Sequence, residues 1–212
     1  VVRSDILSRL TPAGRQAMLD YGIRTVIDLR APHEVEKEPS IDPKELDRPL
    51  DYRNLPLEKF YPQVSALIGQ AKSRGEVYCI ILDHYPDAMA EVMRTIARAR
   101  PGGVAVHCHA GKDRTGMVAG LLLGLAGVPD EEIAADYAES QVRLWPLYEK
   151  ERAEAGEKDK TNFWQQPSAT ADMMVRMLAH IENRYGGVRN YLLEAGLAVE
   201  DLDRLERRLL GV

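Results

Sequence analysis

Between Val104 and Leu125 the hydrophobic pattern changes period once, and that change fixes a strand, a turn and a helix in order. Val104-Ala105-Val106 is a short β-branched apolar run of the kind that forms a buried strand. Val118, Leu121, Leu122 and Leu125 then recur at helical spacing. The residues between, His107 to Gly116, read His-Cys-His-Ala-Gly-Lys-Asp-Arg-Thr-Gly. Cys108 therefore falls on a tight turn at a helix N-terminus, where backbone N–H groups lack intrahelical partners and the dipole favours negative charge. A cysteine so placed is expected as its thiolate, and the same amides suit a phosphate. The implied chemistry is attack of sulfur on phosphorus.

The rest of the chain is compatible with one domain. At 212 residues it is long enough to bury a substantial core without disulfide staples. With 45% hydrophobic and 29% charged residues, its composition is that of an ordinary globular protein. A net charge of −5 argues against a nucleic-acid partner, which calls for a basic stripe, but leaves a local anion site open. Two cysteines, Cys79 and Cys108, give no disulfide framework. No stretch approaches the ~18 apolar residues of a membrane span, so no stable membrane insertion is expected. No signal-peptide pattern opens the sequence; a lone reactive thiol fits a cytoplasmic or a secreted enzyme.

Thr11-Pro12 reads as a helix start, running to about Tyr21, with Gly22 ending it. Arg24 to Leu29 reads as a strand that delivers Asp28 and Arg30 at its carboxyl end. Charge and proline from Ala31 to Pro49 predict a long surface loop. Asp51 to Leu57 predicts another strand. Val64, Leu67, Ile68 and Ala71 form a helical stripe, as do Met89, Val92, Met93 and Ile96. Val77 to Asp83 fits strand or helix, and its helical neighbours favour helix. Pro129-Asp130-Glu131-Glu132 opens a further helix. Met174, Met177, Leu178 and Ile181 mark a later one, and Leu202, Leu205 and Leu209 the last; these stripes read as core. The whole predicts an α/β fold: a small, mostly parallel central sheet flanked by many helices. Residues 141–166 stand apart, since both tryptophans, Trp145 and Trp164, and Phe163 lie there around a Glu/Lys/Ala-rich run. They read as a peripheral helical pair or as a helical lid shaping substrate access.

His107-Cys108, five residues, then Arg114-Thr115-Gly116 resembles the phosphate-binding loop of the cysteine-dependent protein tyrosine phosphatase superfamily. The form Ala110-Gly111-Lys112-Asp113-Arg114-Thr115-Gly116 is similar to that of a bacterial branch holding atypical tyrosine/serine phosphatases and phosphoinositide-active, triple-specificity enzymes. Arg3-Ser4-Asp5 with Leu10-Thr11, the run Gly22 to Arg30, Asp136-Tyr137 with Ser140, and Tyr185-Gly186-Gly187 with Tyr191-Leu192 and Gly196-Leu197 extend the resemblance over nearly the whole chain. It implies a tyrosine-phosphatase-like fold with the phosphate loop between a strand and a helix N-terminus. Related enzymes carry a short segment ahead of the Arg-Ser-Asp motif, so residues preceding Val1 are expected.

Cys108 is the expected nucleophile, forming a phosphocysteine that divides one hard hydrolysis into two easier steps. Arg114 is expected to clamp two phosphoryl oxygens with its planar fork. Gly111 lets the loop bend so that its amides approach phosphate, and His109, Ala110, Lys112 and Gly116 complete the phosphate-binding stretch. His107 is expected to orient the loop; the direction of His109 is open. Asp28 and Arg30 lie where open α/β sheets place ligands, either bracing the loop or meeting the substrate. Cys79, without such neighbours, reads as structural.

The resemblance implies further roles. Thr115 would hydrogen-bond the sulfur and ease its departure. There is no convincing Trp-Pro-Asp loop, so Asp113, inside the phosphate loop, is the preferred general acid over Asp87 and Asp83. Lys112, a positive charge at the loop rim, accompanies polyphosphorylated headgroups in lipid-phosphatase relatives, or is simply a solvated lysine. The expected substrates are phosphorylated proteins or peptides, phosphotyrosine first, and phosphoinositides. No cofactor is expected, and no metal, since no ligand spacing suggests one. The competing readings are an inositol polyphosphate phosphatase, a phosphate-binding module with little turnover, and a sulfurtransferase, which has no evident need for Arg-Thr-Gly.

Overall fold

The computed structural model describes residues 1–59, 61–155 and 168–211. Strand β1 (Val2–Ser4) is followed by helix α1 (Pro12–Asp20) and strand β2 (Ile23–Asp28). Helix α2 (Pro32–Lys37), strand β3 (Asp51–Asn54) and helices α3 (Pro62–Gln70), α4 (Arg74–His84) and α5 (Pro86–Arg98) come next. Strand β4 (Gly103–His107) then leads into α6 (Asp113–Leu125), α7 (Asp130–Ala155), α8 (Ala171–Tyr185), α9 (Val188–Glu194) and α10 (Val199–Leu210). Among the described residues the strands form one parallel sheet in the order β1-β4-β2-β3. This is the expected α/β architecture.

Burial on both faces explains why the central strands carry nearly unbroken apolar runs. Successive side chains alternate across the sheet. Ile27, Val104 and Val106 join the large core built by the helices from α3 onward, while Ile23, Val26 and Ala105 join a smaller core with Leu7 and Leu19. The register sets Ser4 and Asp28 on either side of His107, with Asn54 beyond Asp28. Four polar residues thus stand in a row at the carboxyl edge of the sheet, where such folds place their ligands.

Local chemistry sets most boundaries. Thr11 Oγ1 caps α1 by accepting from Gly14 N at 3.1 Å, and Pro12 occupies its first turn. Val77 to Asp83 is helical, as expected. Strand β3 ends at Asn54 rather than Leu57, although Leu55 N and Leu57 N still donate to Asp28 O and Leu29 O, so the chain runs on beside β2 across Pro56. Leu67 is 41% exposed, so the α3 stripe is narrower than its spacing suggests.

The larger correction concerns Ala31 to Pro49, which is not loop throughout. It contains α2 and a 3-10 turn over Pro43–Glu45. Pro32 starts α2 and the Glu34 side chain accepts from Ala31 N at 2.8 Å, tying the first turn. Residues 141–155 continue α7, with Pro146 inside it. The remainder of the expected lid, including Phe163 and Trp164, lies outside the described residues. No described helix is long and apolar enough to cross a membrane.

Candidate active site

Strand β4 ends at His107 and α6 begins at Asp113, so residues 108–112 form the turn foreseen between them. Among the described residues, the backbone N–H groups of His109, Ala110, Gly111, Asp113 and Arg114 donate to no carbonyl, leaving a cluster of donors at a helix N-terminus. Gly111 holds φ +64°, and a Cβ there would fall 2.3 Å from Ser4 O. Only glycine lets the loop pass this close to β1. Cys108 lies at the base of the turn, 3% exposed.

Beneath the loop, a network centred on the fully buried Asp28, Arg30 and His107 holds the sheet edge. Asp28 accepts from Arg30 Nη2 at 2.7 Å and Tyr52 Oη at 2.7 Å. Arg30 reaches on to Glu38 O at 2.8 Å. Burial opposes ionisation of Asp28, but the hydrogen bonds from Arg30 and the Tyr52 hydroxyl outweigh it and hold the carboxyl below its ordinary value. His107 bonds Cys108 O through Nδ1 at 2.9 Å and Ser40 Oγ through Nε2 at 3.1 Å. Burial is the main reason its pKa is lowered, so the ring is neutral, with Nδ1–H donating to the carbonyl and Nε2 accepting from the hydroxyl. Among the described residues His107 bonds the loop at Cys108 O, Asp28 and Arg30 pair behind it, and none of the three lines the cavity above.

Arg114 is anchored by a residue that sequence reasoning missed. Its Nη1 and Nη2 donate to Glu34 Oε2 and Oε1 at 2.6 and 2.9 Å. This end-on pairing leaves the Nε–H and an outer Nη2–H as a parallel pair, the geometry that grips two phosphoryl oxygens. The Arg114 pKa is raised even though burial opposes its charge, chiefly through Glu34 and the nearby Cys108 sulfur. The Pro at the first position of α2 with Glu at the third was the available signal for Glu34.

Burial likewise opposes ionisation of Glu34, but Arg114 holds its carboxyl at about 2, against an ordinary 4.5. A carboxyl depressed in the folded state stabilises the fold above its unfolded value, and that contribution is lost as pH falls through the folded one. Wild type is therefore expected to exceed Glu34→Gln in stability at neutral pH by on the order of 2 kcal/mol, after discounting for partial exposure. Urea unfolding of both proteins as a function of pH should show the gap closing between pH 4.5 and about 2. A gap that persists at the acid end would contradict the ion pair's role.

Asp113, at the first position of α6, is held from α4. Tyr78 Oη donates to its Oδ1, and Arg74 Nη1 lies 3.3 and 3.4 Å from its two oxygens. Tyr78 Oη in turn meets Tyr137 Oη at 2.5 Å, and the pKa of both tyrosines is raised, first by burial and then by the Asp113 charge. A cavity of about 730 Å³ opens over Asp113 and Arg114. Its walls include Glu34, Glu58, Tyr78, Ile81 and Tyr85, so an aromatic and apolar flank faces a charged floor.

The remaining expected site residues are distributed around this centre. His109 is half exposed, with Nε2 3.4 Å from Glu38 Oε2. Ala110 and Gly111 face a separate depression lined by Arg3 and Ser140. Lys112 is neither at the rim nor solvated: it is 4% exposed, with Nζ 3.5 Å from Asp113 Oδ2 and 3.4 Å from Ser168 O. The buried Thr115 Oγ1 has no hydrogen-bond partner among the described residues, so the expected bond to the sulfur is not made here. Gly116 serves packing, since a Cβ would come within 2.8 Å of the Tyr137 ring. Asp83 accepts from His180 and Tyr185, and the exposed Asp87 pairs with Lys59; neither lines the cavity. Burial pushes the Cys79 thiol up to about 11, consistent with a structural cysteine.

A parallel sheet ending in a Cys-x5-Arg turn, with the arginine fork held open and a helix N-terminus behind it, defines a cysteine-dependent phosphatase. Residues 1–211 match the tyrosine phosphatase family, and the chain belongs to it. Over 98% of this chain and 73% of the relative, it is 36% identical to a tyrosine-protein phosphatase of Nostoc commune. It is also 28% identical, over 99% of this chain and 90% of the relative, to the triple specificity protein phosphatase PtpB of Mycobacterium tuberculosis.

Proposed function

We propose that the chain hydrolyses phosphotyrosine through a phosphocysteine on Cys108, with phosphoserine/threonine and phosphoinositides as further substrates. The observation that carries the reaction is the end-on Arg114–Glu34 pair beside Cys108, which presets a phosphate clamp before any substrate arrives. Cys108 attacks phosphorus, Arg114 and the loop amides take up the charge that develops on the phosphoryl oxygens, and Asp113 protonates the departing oxygen. The aromatic flank of Tyr78 and Tyr85 suits the ring of a phosphotyrosine. The wider substrate range rests on the similarity to a phosphatase of triple specificity and on a cavity roomy enough for more than one phosphorylated group.

A single domain over residues 1–212, with 141–166 as a peripheral helical pair or as a lid, belongs to this proposal. Ser140, before that segment, is linked to the phosphate loop through Arg3, which also bonds Gly111 O, and Ser168 O, after it, lies by Lys112 Nζ.

Hydrolysis of p-nitrophenyl phosphate, phosphotyrosine and phosphoserine peptides and phosphoinositides in EDTA tests the reading; the phosphotyrosine peptide is expected to lead, and absence of turnover on all of them would overturn it. Asp113→Asn is expected to slow alkyl phosphates by about 10²–10³-fold while costing an activated aryl phosphate far less. Equal losses on both would remove Asp113 from the general-acid role.

A further inference from the structure

A group that protonates a leaving oxygen ends the step with more negative charge than it began, and α4 presents donors to Asp113 for that charge. Arg74 and Tyr78 stand four positions apart, one turn along the same face of α4. Tyr78 Oη donates to Asp113 Oδ1, while Arg74 Nη1 and, from the loop, Lys112 Nζ stand farther off, at 3.3 to 3.5 Å from the carboxyl oxygens. The single Tyr78 hydroxyl hydrogen is spent on Asp113, so the Tyr137 hydroxyl, 2.5 Å away, donates into Tyr78 Oη. The two rings meet edge to face with centroids 6.1 Å apart, and both are almost fully buried. Helix α7 thus backs α4, and α4 backs the phosphate loop, through one line of hydrogen bonds. Tyr78 also lines the catalytic cavity, so this line ends where the substrate sits.

We propose that Tyr78 is a positioning residue for the general acid, fixing the Asp113 carboxyl against rotation and stabilising the charge it acquires as its proton leaves. The inference rests on the reading of Asp113 given above. In that step the Cys108 sulfur forms its bond to phosphorus, and the P–O bond breaks with its electron pair going to the leaving oxygen. The Asp113 proton passes to that oxygen, and Asp113 is left as a carboxylate. A hydrogen bond to a carboxylate is roughly twice as strong as one between neutral groups. The contact from Tyr78 therefore strengthens as the reaction proceeds, which favours the transition state over the ground state. Tyr137 adds to the effect by polarising the Tyr78 O–H bond. Both phenols keep their protons, because burial and then the Asp113 charge oppose ionisation. The donor is set in place before the reaction and needs no reorganisation during it.

Dependence on the leaving group isolates this role. Tyr78→Phe keeps the ring and removes only the hydroxyl. It is expected to lower kcat on alkyl phosphates by about 10–100-fold with little change in KM. The cost on p-nitrophenyl phosphate, whose leaving group departs without a proton, should be far smaller. In an Asp113→Asn background the same substitution should cost less than about threefold on either substrate, since the group it acts through is gone. Tyr137→Phe should show the same pattern with a smaller loss, and carries the test if Tyr78→Phe does not fold. Equal losses on both substrates, a loss that persists at full size in Asp113→Asn, or an unchanged kcat on alkyl phosphates would each overturn the assignment. Failure of the underlying reading is seen separately, in Asp113→Asn itself, as equal slowing of alkyl and aryl phosphates.

Discussion

Cys108→Ser is expected to abolish turnover, by on the order of 10⁵-fold or more, while leaving affinity for inorganic phosphate nearly unchanged. A serine hydroxyl at neutral pH is a far poorer nucleophile than a thiolate, and no carboxylate or imidazole of this site is placed to activate it. His107 is the nearest candidate base, but its ring nitrogens are occupied by Cys108 O and Ser40. The phosphate cradle, by contrast, consists of backbone amides and Arg114, none of which the substitution touches. Steady-state rates together with calorimetric titration of phosphate check both halves. Retained turnover would remove sulfur from the mechanism, and lost phosphate binding would mean that the serine has disturbed the loop.

Arg114→Lys is expected to cost about 10²–10³-fold in kcat, in the range found when a donor to a developing negative charge is removed. Lysine keeps the charge but not the plane. The guanidinium spends one edge on Glu34 and, in the proposed mechanism, offers a second to the phosphoryl group; an ammonium cannot satisfy both in fixed geometry. The released Glu34 would also sit unneutralised in a site built for a dianion. Rates on a phosphotyrosine peptide measure the effect, and a loss below tenfold would mean that charge alone suffices and that the Glu34 anchor is incidental.

What the sequence revealed of this site was whatever it encodes locally. Strand β4, the turn and α6 are contiguous, so one change of hydrophobic period and the five residues between cysteine and arginine expressed them together. Val77 to Asp83 was resolved by its neighbours rather than by its own pattern, and is helical. Glu34 was missed because α2 is six residues long and buries none of them, leaving no apolar stripe to betray a helix and only the Pro32-x-Glu34 start as a signal. Its partner Arg114 lies 80 positions away. Arg74 and Tyr78 were hidden for the same reason, since their meeting with Asp113 is a product of how α4 packs. Lys112 was placed at the rim because lysine ordinarily seeks water; the structure instead buries its stem and points the ammonium to Asp113 and Ser168. Strand β1, at three residues, has too little pattern to read.

The account stands on a covalent phosphoenzyme. Mixing the enzyme with a phosphotyrosine peptide in EDTA, quenching within a turnover and mapping the modified residue by mass spectrometry tests it directly. The prediction is one phosphoryl group, carried by the peptide that contains Cys108 and absent from Cys108→Ser. Turnover with no phosphoryl group on Cys108, or with one on another residue, would contradict it.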